Sequence, residues 1–388
     1  MSSPEQPVLA QWVFDTRPWF PDARVTKDLE THAARALSLL NPEARLGVFR
    51  YLRLADAKMA LASALLKQYA VAKLARDPPV AWSQFMATPS GFTRNARTKP
   101  VYIDPATGRQ PVSFNVSHQA GIVAIIAVDQ EIQVGVDVVC TSERRARDHA
   151  ILAAGDDGWA DFLDIHKDVF APGEVRYLHS RVLAAVPGLV AQAARAHAHL
   201  DAAAGAETGA GAGDGSGAGP PPRGVLAGGP PTPEQTMDAK LRAFYALWAL
   251  REAYVKLTGD ALVAPWLHEL EFVDFRPPWP AAAPLGAAAA AAAAAREGQG
   301  QGQESGGPGG EEEEEPEVEP EVVRSTEIRF RGRKVEDVNM CLRSMGPDYM
   351  VATAVRTPGR PEEALGWRIG PYEVLSLEEV LSFAESSR

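Results

Sequence analysis

Two cysteines, Cys140 and Cys341, are all that 388 residues contain. They stand at neither a paired nor a metal-type spacing. That argues against a disulfide framework and fits a reduced, cytoplasmic setting. Long apolar runs are also missing, so no bilayer span is expected. The nine-alanine run Ala287 to Ala295 is too short and lies in low-complexity surroundings. The N-terminus, MSSPEQPVLAQW, lacks the basic start and apolar core of a secretory signal. There is no Walker-type loop and no kinase motif set. A basic excess is absent too: the formal net charge is -11. Most of that charge is local. Between Gly286 and Val323 ten glutamates face Arg296 alone, a balance of -9, which leaves about -2 for the rest. The remaining chain has no large field of either sign, so no nucleic-acid footprint is expected.

What is present is enough apolar sequence for a sizeable core, 46% by composition, although alanine inflates that figure. The length allows two or three domain-sized units. Val8 to Asp15 reads as a first strand, and Thr26 to Leu40 as a short helix. A second helix, opened by Pro42, reads as running through Tyr51 and Leu61 to about Leu74. Trp82 to Asn95 reads as irregular. Val112 to Val116 and Ile122 to Val128 read as paired strands about a turn at Ser117 to Gly121, with a third strand at Ile132 to Val138. Glu143 to His149 reads as a charged loop, and Trp159 to Leu178 as helix interrupted at Pro172-Gly173. Residues 184–233 have too few large apolar groups to offset their ordering entropy and read as a disordered insert, and residues 277–323 read as a second low-complexity insert ending in the acidic run. Leu270 to Phe275, Glu327 to Arg331 and Tyr349 to Val355 read as further strands. Residues 356–388 read as a peripheral tail with a helix near Glu373 to Ala384.

The chain is organised around DAKLRAFYALWALREAYVKLTG, Asp238 to Gly259. Asp238 is the expected N-cap and Gly259 the expected left-handed terminus. On that helix Trp248, Glu252 and Lys256 share a face. Alone, such a Glu–Lys pair is ordinarily a solvated surface pair worth tenths of a kcal/mol. Three other clusters accompany it. Asp137, near the end of an apolar strand, can hold a hard cation or merely cap a turn. Asn115-Val116-Ser117-His118-Gln119 gathers polar groups on an expected turn, suited to an anion or to a hydrogen-bonded hairpin. Arg94 to Pro100 carries three bases in a stretch suited to phosphate or to solvent.

Taken in order, these motifs resemble the 4′-phosphopantetheinyl transferases, in the large monomeric branch similar to the surfactin-synthetase-activating enzyme. The resemblance rests on Lys99-Pro100, Phe114-Asn115-Val116-Ser117-His118, Gly135-Val136-Asp137 and Trp248-Ala249-Leu250-Arg251-Glu252-Ala253-Tyr254-Val255-Lys256. Asp56-Ala57 and Phe170 to Glu174 also look like elements of that family. Ala264-Pro265-Trp266-Leu267 to Phe272 is most similar to fungal members.

The resemblance implies an α+β fold of two halves related by a pseudo-two-fold, spanning 8–128 and 132–355. It implies transfer of the phosphopantetheine arm of coenzyme A to a serine of apo acyl, peptidyl or aryl carrier domains, with release of 3′,5′-ADP. Mg²⁺ is then expected on Asp137 and Glu252, since some members' second carboxylate is replaced here by Val139. Glu252 and Lys256 are the expected catalytic pair. Arg94, Lys99, Asn115, Ser117, His118 and Lys256 are the expected coenzyme A contacts. Arg53 joins them because Ala55 stands where some relatives carry Arg. A monomer is expected. A non-catalytic coenzyme A or carrier-protein binder, and a different Mg²⁺-dependent phosphoryl-transfer enzyme, are the competing readings.

Overall fold

The computed structural model describes residues 7–154, 157–180, 182, 232–260, 264–273, 275–281 and 321–387. Most of the two expected inserts lies outside the described residues. In chain order the elements are β1 (Leu9–Asp15), α1 (Leu29–His32), α2 (Ala34–Ser38), α3 (Pro42–Phe49), α4 (Leu54–Leu74), α5 (Trp82–Phe85), β2 (Phe92–Arg94), β3 (Pro100–Tyr102), β4 (Ser113–Gln119) and β5 (Ile122–Val128). Then come β6 (Val134–Cys140), α6 (Arg145–Leu152), α7 (Gly158–Ile165), α8 (residues 172–180), α9 (Pro233–Thr258) and β7 (Leu270–Val273). The chain closes with β8 (Val322–Val323), β9 (Glu327–Phe330), β10 (Arg333–Lys334), β11 (Val338–Met345), β12 (Tyr349–Arg356), β13 (Glu373–Val374) and a C-terminal helix, Leu377–Ser386.

Two halves share one connectivity. In the first, β1 leads through α4 to the hairpin β4–β5, and the sheet order is β1-β5-β4. In the second, β6 leads through α9 to the hairpin β11–β12, and the order is β6-β12-β11. Every pairing among these six strands is antiparallel. Each sheet buries both faces, which explains runs such as IVAIIAV in β5, buried throughout. Val123, Ile125 and Ala127 pack toward α4. Ile122, Ala124, Ile126 and Val128 join Val134, Val136, Val138 and Cys140 in a separate core between the sheets. The two-residue period of β6 therefore turns Gly135, Asp137 and Val139 to the other face, where α9 packs.

The edges of β4 and β6 meet at a seam held by side chains. Asn115 Oδ1 accepts from the Val136 amide at 2.9 Å, Ser117 Oγ from the Val138 amide at 3.3 Å, and Gln119 Oε1 from the Cys140 amide at 3.2 Å. Each bond spans 21 residues, so the strands run in step.

Several expectations change. The helix expected from Pro42 to Leu74 breaks at residues 50–53, where the apolar pattern lapses and Leu52 is 97% exposed. Thr26 to Leu40 is likewise broken into short turns. Ser117 and His118 lie inside a strand, and the turn is confined to Ala120-Gly121. Residues 145–152 are helical, because Tyr245 and α9 accept the α6 face. The N-cap of α9 is Thr232, whose side chain accepts from the Gln235 amide while Gln235 answers in a capping box. Asp238 instead binds Arg145 and His149. Gly259 ends α9 at φ 81°, as its position suggests. The tail expected to be peripheral is built into the first half. β13 pairs in parallel with β1, and Val380, Leu381 and Ala384 are buried in the α4 core.

Candidate active site

α9 approaches β6 closely because Gly135 has no side chain. A Cβ there would lie 2.6 Å from the Leu257 amide nitrogen and closer still to the Ala253 carbonyl. Two residues on, Asp137 faces the same helix. Lys256 Nζ donates to Asp137 Oδ1 at 2.6 Å and to Ser117 Oγ at 2.9 Å. Ser117 Oγ donates to Asp137 Oδ1 at 3.0 Å. All three bonds thus tie one carboxylate oxygen, one hydroxyl and one ammonium across the seam of the two halves. Burial pushes the Asp137 carboxyl above its usual range, against the pull of Lys256 and Ser117.

Glu252 lies one turn before Lys256. It is partly buried and makes no hydrogen bond or ion pair among the described residues. Burial raises its pKa first, the charge of Asp137 second, while Lys256 opposes both. Two carboxylates held near each other, one of them without a partner, are a donor set for a hard divalent cation. Among the described residues, no group of three or more His, Cys, Asp or Glu could hold a metal. A cation on Asp137 and Glu252 would therefore complete its shell with substrate oxygens and water, which suits Mg²⁺. Val139 sits buried beside the pair and offers no donor.

A cavity of about 410 Å³ opens from this cluster. Its polar end holds Ser117, His118, Asp137 and Lys256; its apolar wall includes Phe162, Phe244 and Trp248. Arg144, Arg147 and Tyr245 also line it, and sequence reasoning passed over all three. Tyr245 was legible in principle, since it precedes Glu252 by seven residues on the same stripe. His118 projects to the opposite side of β4 from Ser117. Its pKa is lowered, first by desolvation and then by Lys256, against the pull of Asp56.

The other expected contacts spread outward. Asn115 is buried and spent on the seam. Lys99 Nζ donates to the Val134 carbonyl at 2.7 Å, and burial lowers its pKa to about 8. It lines a neighbouring recess with Arg97 and Gly259. Arg94 lies elsewhere, in a recess of about 580 Å³ shared with Arg50 and Lys67. Burial and the Arg94 charge both lower the Lys67 pKa, the mark of a cation cluster short of anions. Arg53 is exposed at the start of α4 and is not brought to the Asp137 cavity.

Arg251 points away from the cavity. It is fully buried, with Nη1 donating to Glu174 Oε2 at 2.6 Å and to the Leu270 carbonyl at 2.9 Å, and Nη2 to the Leu267 carbonyl. Glu174 also accepts from the Ala171 and Phe272 amides, both at 2.8 Å. Burial still pushes Glu174 up to about 7.

Residues 27–130 match the family model described as 4′-phosphopantetheinyl transferase, N-terminal. A 4′-phosphopantetheinyl transferase 1 of Fusarium mangiferae is 38% identical over 98% of this chain and 97% of its own length. A 4′-phosphopantetheinyl transferase of Aureobasidium melanogenum is 32% identical over 97% of each. The human L-aminoadipate-semialdehyde dehydrogenase-phosphopantetheinyl transferase is 31% identical over 34% of this chain and 38% of its own. The similarity to the fungal proteins runs through β6, α9 and the closing strands as well as the first half, so the chain belongs to the 4′-phosphopantetheinyl transferase family, in its large, fungal type.

Proposed function

We propose that this enzyme moves the 4′-phosphopantetheine arm of coenzyme A onto a serine of apo acyl, peptidyl or aryl carrier domains, in a Mg²⁺-dependent reaction that releases 3′,5′-ADP. The observation that carries this reading is the Lys256–Asp137–Ser117 cluster, which lines a cavity between the halves, with Glu252 one turn before Lys256.

The serine oxygen attacks the phosphorus that bears the pantetheine arm. The bond from that phosphorus to the ADP oxygen breaks. Both partners are negatively charged or become so, and neutralising that charge is the main task. Bound at Asp137 and Glu252, Mg²⁺ would polarise the diphosphate oxygens as a Lewis acid. Lys256 supplies a second positive charge and can give a proton to the departing ADP. Glu252, one turn from Lys256 in the same cluster, is suited to take the serine proton. Ser117 holds Lys256 and Asp137 in register. Lys99 and the Arg94–Lys67–Arg50 recess offer cations, and His118 a hydrogen-bonding ring, for the phosphate at the far end of coenzyme A.

The test is mass spectrometry of an apo carrier domain incubated with enzyme, coenzyme A and Mg²⁺. The expected result is a gain of one phosphopantetheine, lost with EDTA and restored by added Mg²⁺. Glu252→Gln, Asp137→Ala and Lys256→Ala should each slow transfer by at least about 100-fold. Coenzyme A binding without mass gain across several carriers would favour a non-catalytic binder. Full turnover of Glu252→Gln would remove Glu252 from both its roles.

A further inference from the structure

The stripe of α9 that carries Glu252 and Lys256 is useful only at one rotation of the helix. Taking Arg251 as zero and about 100° per residue, Glu252 lies at about 100° and Lys256 at about 140°, while Ala253 and Leu257 lie at about 200° and 240°. Those last two residues are the ones that Gly135 of β6 meets at close range. Arg251, on the opposite side, is held by three oxygens from two further elements: the Glu174 carboxylate on α8, and the Leu267 and Leu270 carbonyls at and just before β7. The catalytic stripe therefore lies between two fixed flanks.

We propose that the buried Arg251–Glu174 pair is a positioning device that sets the rotation of α9 and so holds Glu252 toward Asp137. The inference rests on the role of Glu252 given above. Packing alone gives no reason for two charges here. Both side chains are withdrawn from water, which costs desolvation that apolar residues of similar volume avoid. What the pair supplies is direction. The planar guanidinium reaches Glu174 and both carbonyls at once, and Glu174 in turn fixes the Ala171 and Phe272 amides. Apolar replacements could fill the volume and leave the helix free to turn. Cζ of Arg251 also lies 5.8 Å from the centre of the Phe170 ring, which closes the space beside it.

The experiment compares wild type, Arg251→Lys and the double variant Arg251→Met with Glu174→Leu, all as full-length chains. Each is read by thermal melting, by kcat and KM for coenzyme A, and by Mg²⁺ half-saturation in the carrier assay. The double variant is expected to melt below wild type, because Glu174→Leu leaves the Ala171 and Phe272 amides without their acceptor, so its kinetics are read below its own melting point. Its KM for coenzyme A should stay within about twofold, while kcat falls and Mg²⁺ half-saturation rises by about 10- to 100-fold. Arg251→Lys keeps the charge beside Glu174 and should retain kcat within about fivefold, since one of three anchors survives.

A folded double variant with wild-type kcat and Mg²⁺ dependence overturns the inference. Should it fail to fold, Glu174→Gln, assayed below its own melting point, gives the same reading; an unchanged Mg²⁺ half-saturation there also overturns it. Wild-type enzyme that transfers nothing overturns the functional reading instead.

Discussion

Lys99 shows how one side chain reports on its surroundings. Among the described residues its ammonium has one partner, the Val134 carbonyl, and burial lowers its pKa to about 8. A group lowered this far is charged below about pH 8 and neutral above it. If Lys99 meets a phosphate of coenzyme A, kcat/KM should fall as pH rises through about 8 in the free enzyme. Lys99→Arg, which stays charged, should remove that fall. A pH profile of kcat/KM for the two proteins checks this. The motif residues were readable one by one, because Asp137, Glu252 and Lys256 sit at fixed spacings on a strand and a helix. Their mutual bonds were not. Ser117 read as a turn residue suited to an anion or to a hydrogen-bonded hairpin, whereas a strand position turns its hydroxyl onto Lys256 and Asp137. Arg251 read only as one member of the Trp248-to-Lys256 motif. Its burial depends on Glu174, which is 77 residues away.

At the scale of elements, the decisive contact is between α9 and β6. Gly135→Ala would set a methyl group against the Ala253 carbonyl and the Leu257 amide, and neither backbone group can move without moving α9. Overpacking of this kind costs about 1–3 kcal/mol. The expected outcome is a lower melting temperature together with a loss of kcat larger than the change in KM for coenzyme A. Thermal denaturation and steady-state kinetics on the one variant test both parts. Strands with alternating or continuous apolar patterns were legible: β1, β5, β6 and β12 lie close to where the pattern puts them. β11 was missed because its sequence, VNMCLRSM, has little β-branched character and takes its place from pairing with β12. Helix ends were read less well. Asp238 looked like a cap, but the helix begins at Pro233 with Thr232 as its cap, where proline at the first position and a capping box both favour the start.

In the whole molecule, the C-terminal segment closes the first half. Val380 and Leu381 bury in the α4 core, and Arg35 reaches Glu378 and Glu385 from the first helices. Removing residues 376–388 should cost about 3–6 kcal/mol from the two large apolar side chains alone. Urea denaturation of the shortened chain should show that loss, and an unchanged midpoint would argue against it. The sequence offered little sign of this return, since a short amphipathic helix near a terminus looks the same whether it packs or not. The paired architecture was legible only through the family resemblance. Its physical basis is the shared strand–helix–hairpin order of the two halves.

The seam between β4 and β6 has a further consequence. Each strand is an outer edge of its own sheet, and the Val136, Val138 and Cys140 amides on that side are met by side chains of the other half. Separated, each half would present a bare strand edge of the kind that recruits other chains. Either half expressed alone should therefore precipitate or form higher-order species, and mixing the two during refolding should suppress this. The join that builds the cleft therefore also covers the edges that would otherwise pair with other chains.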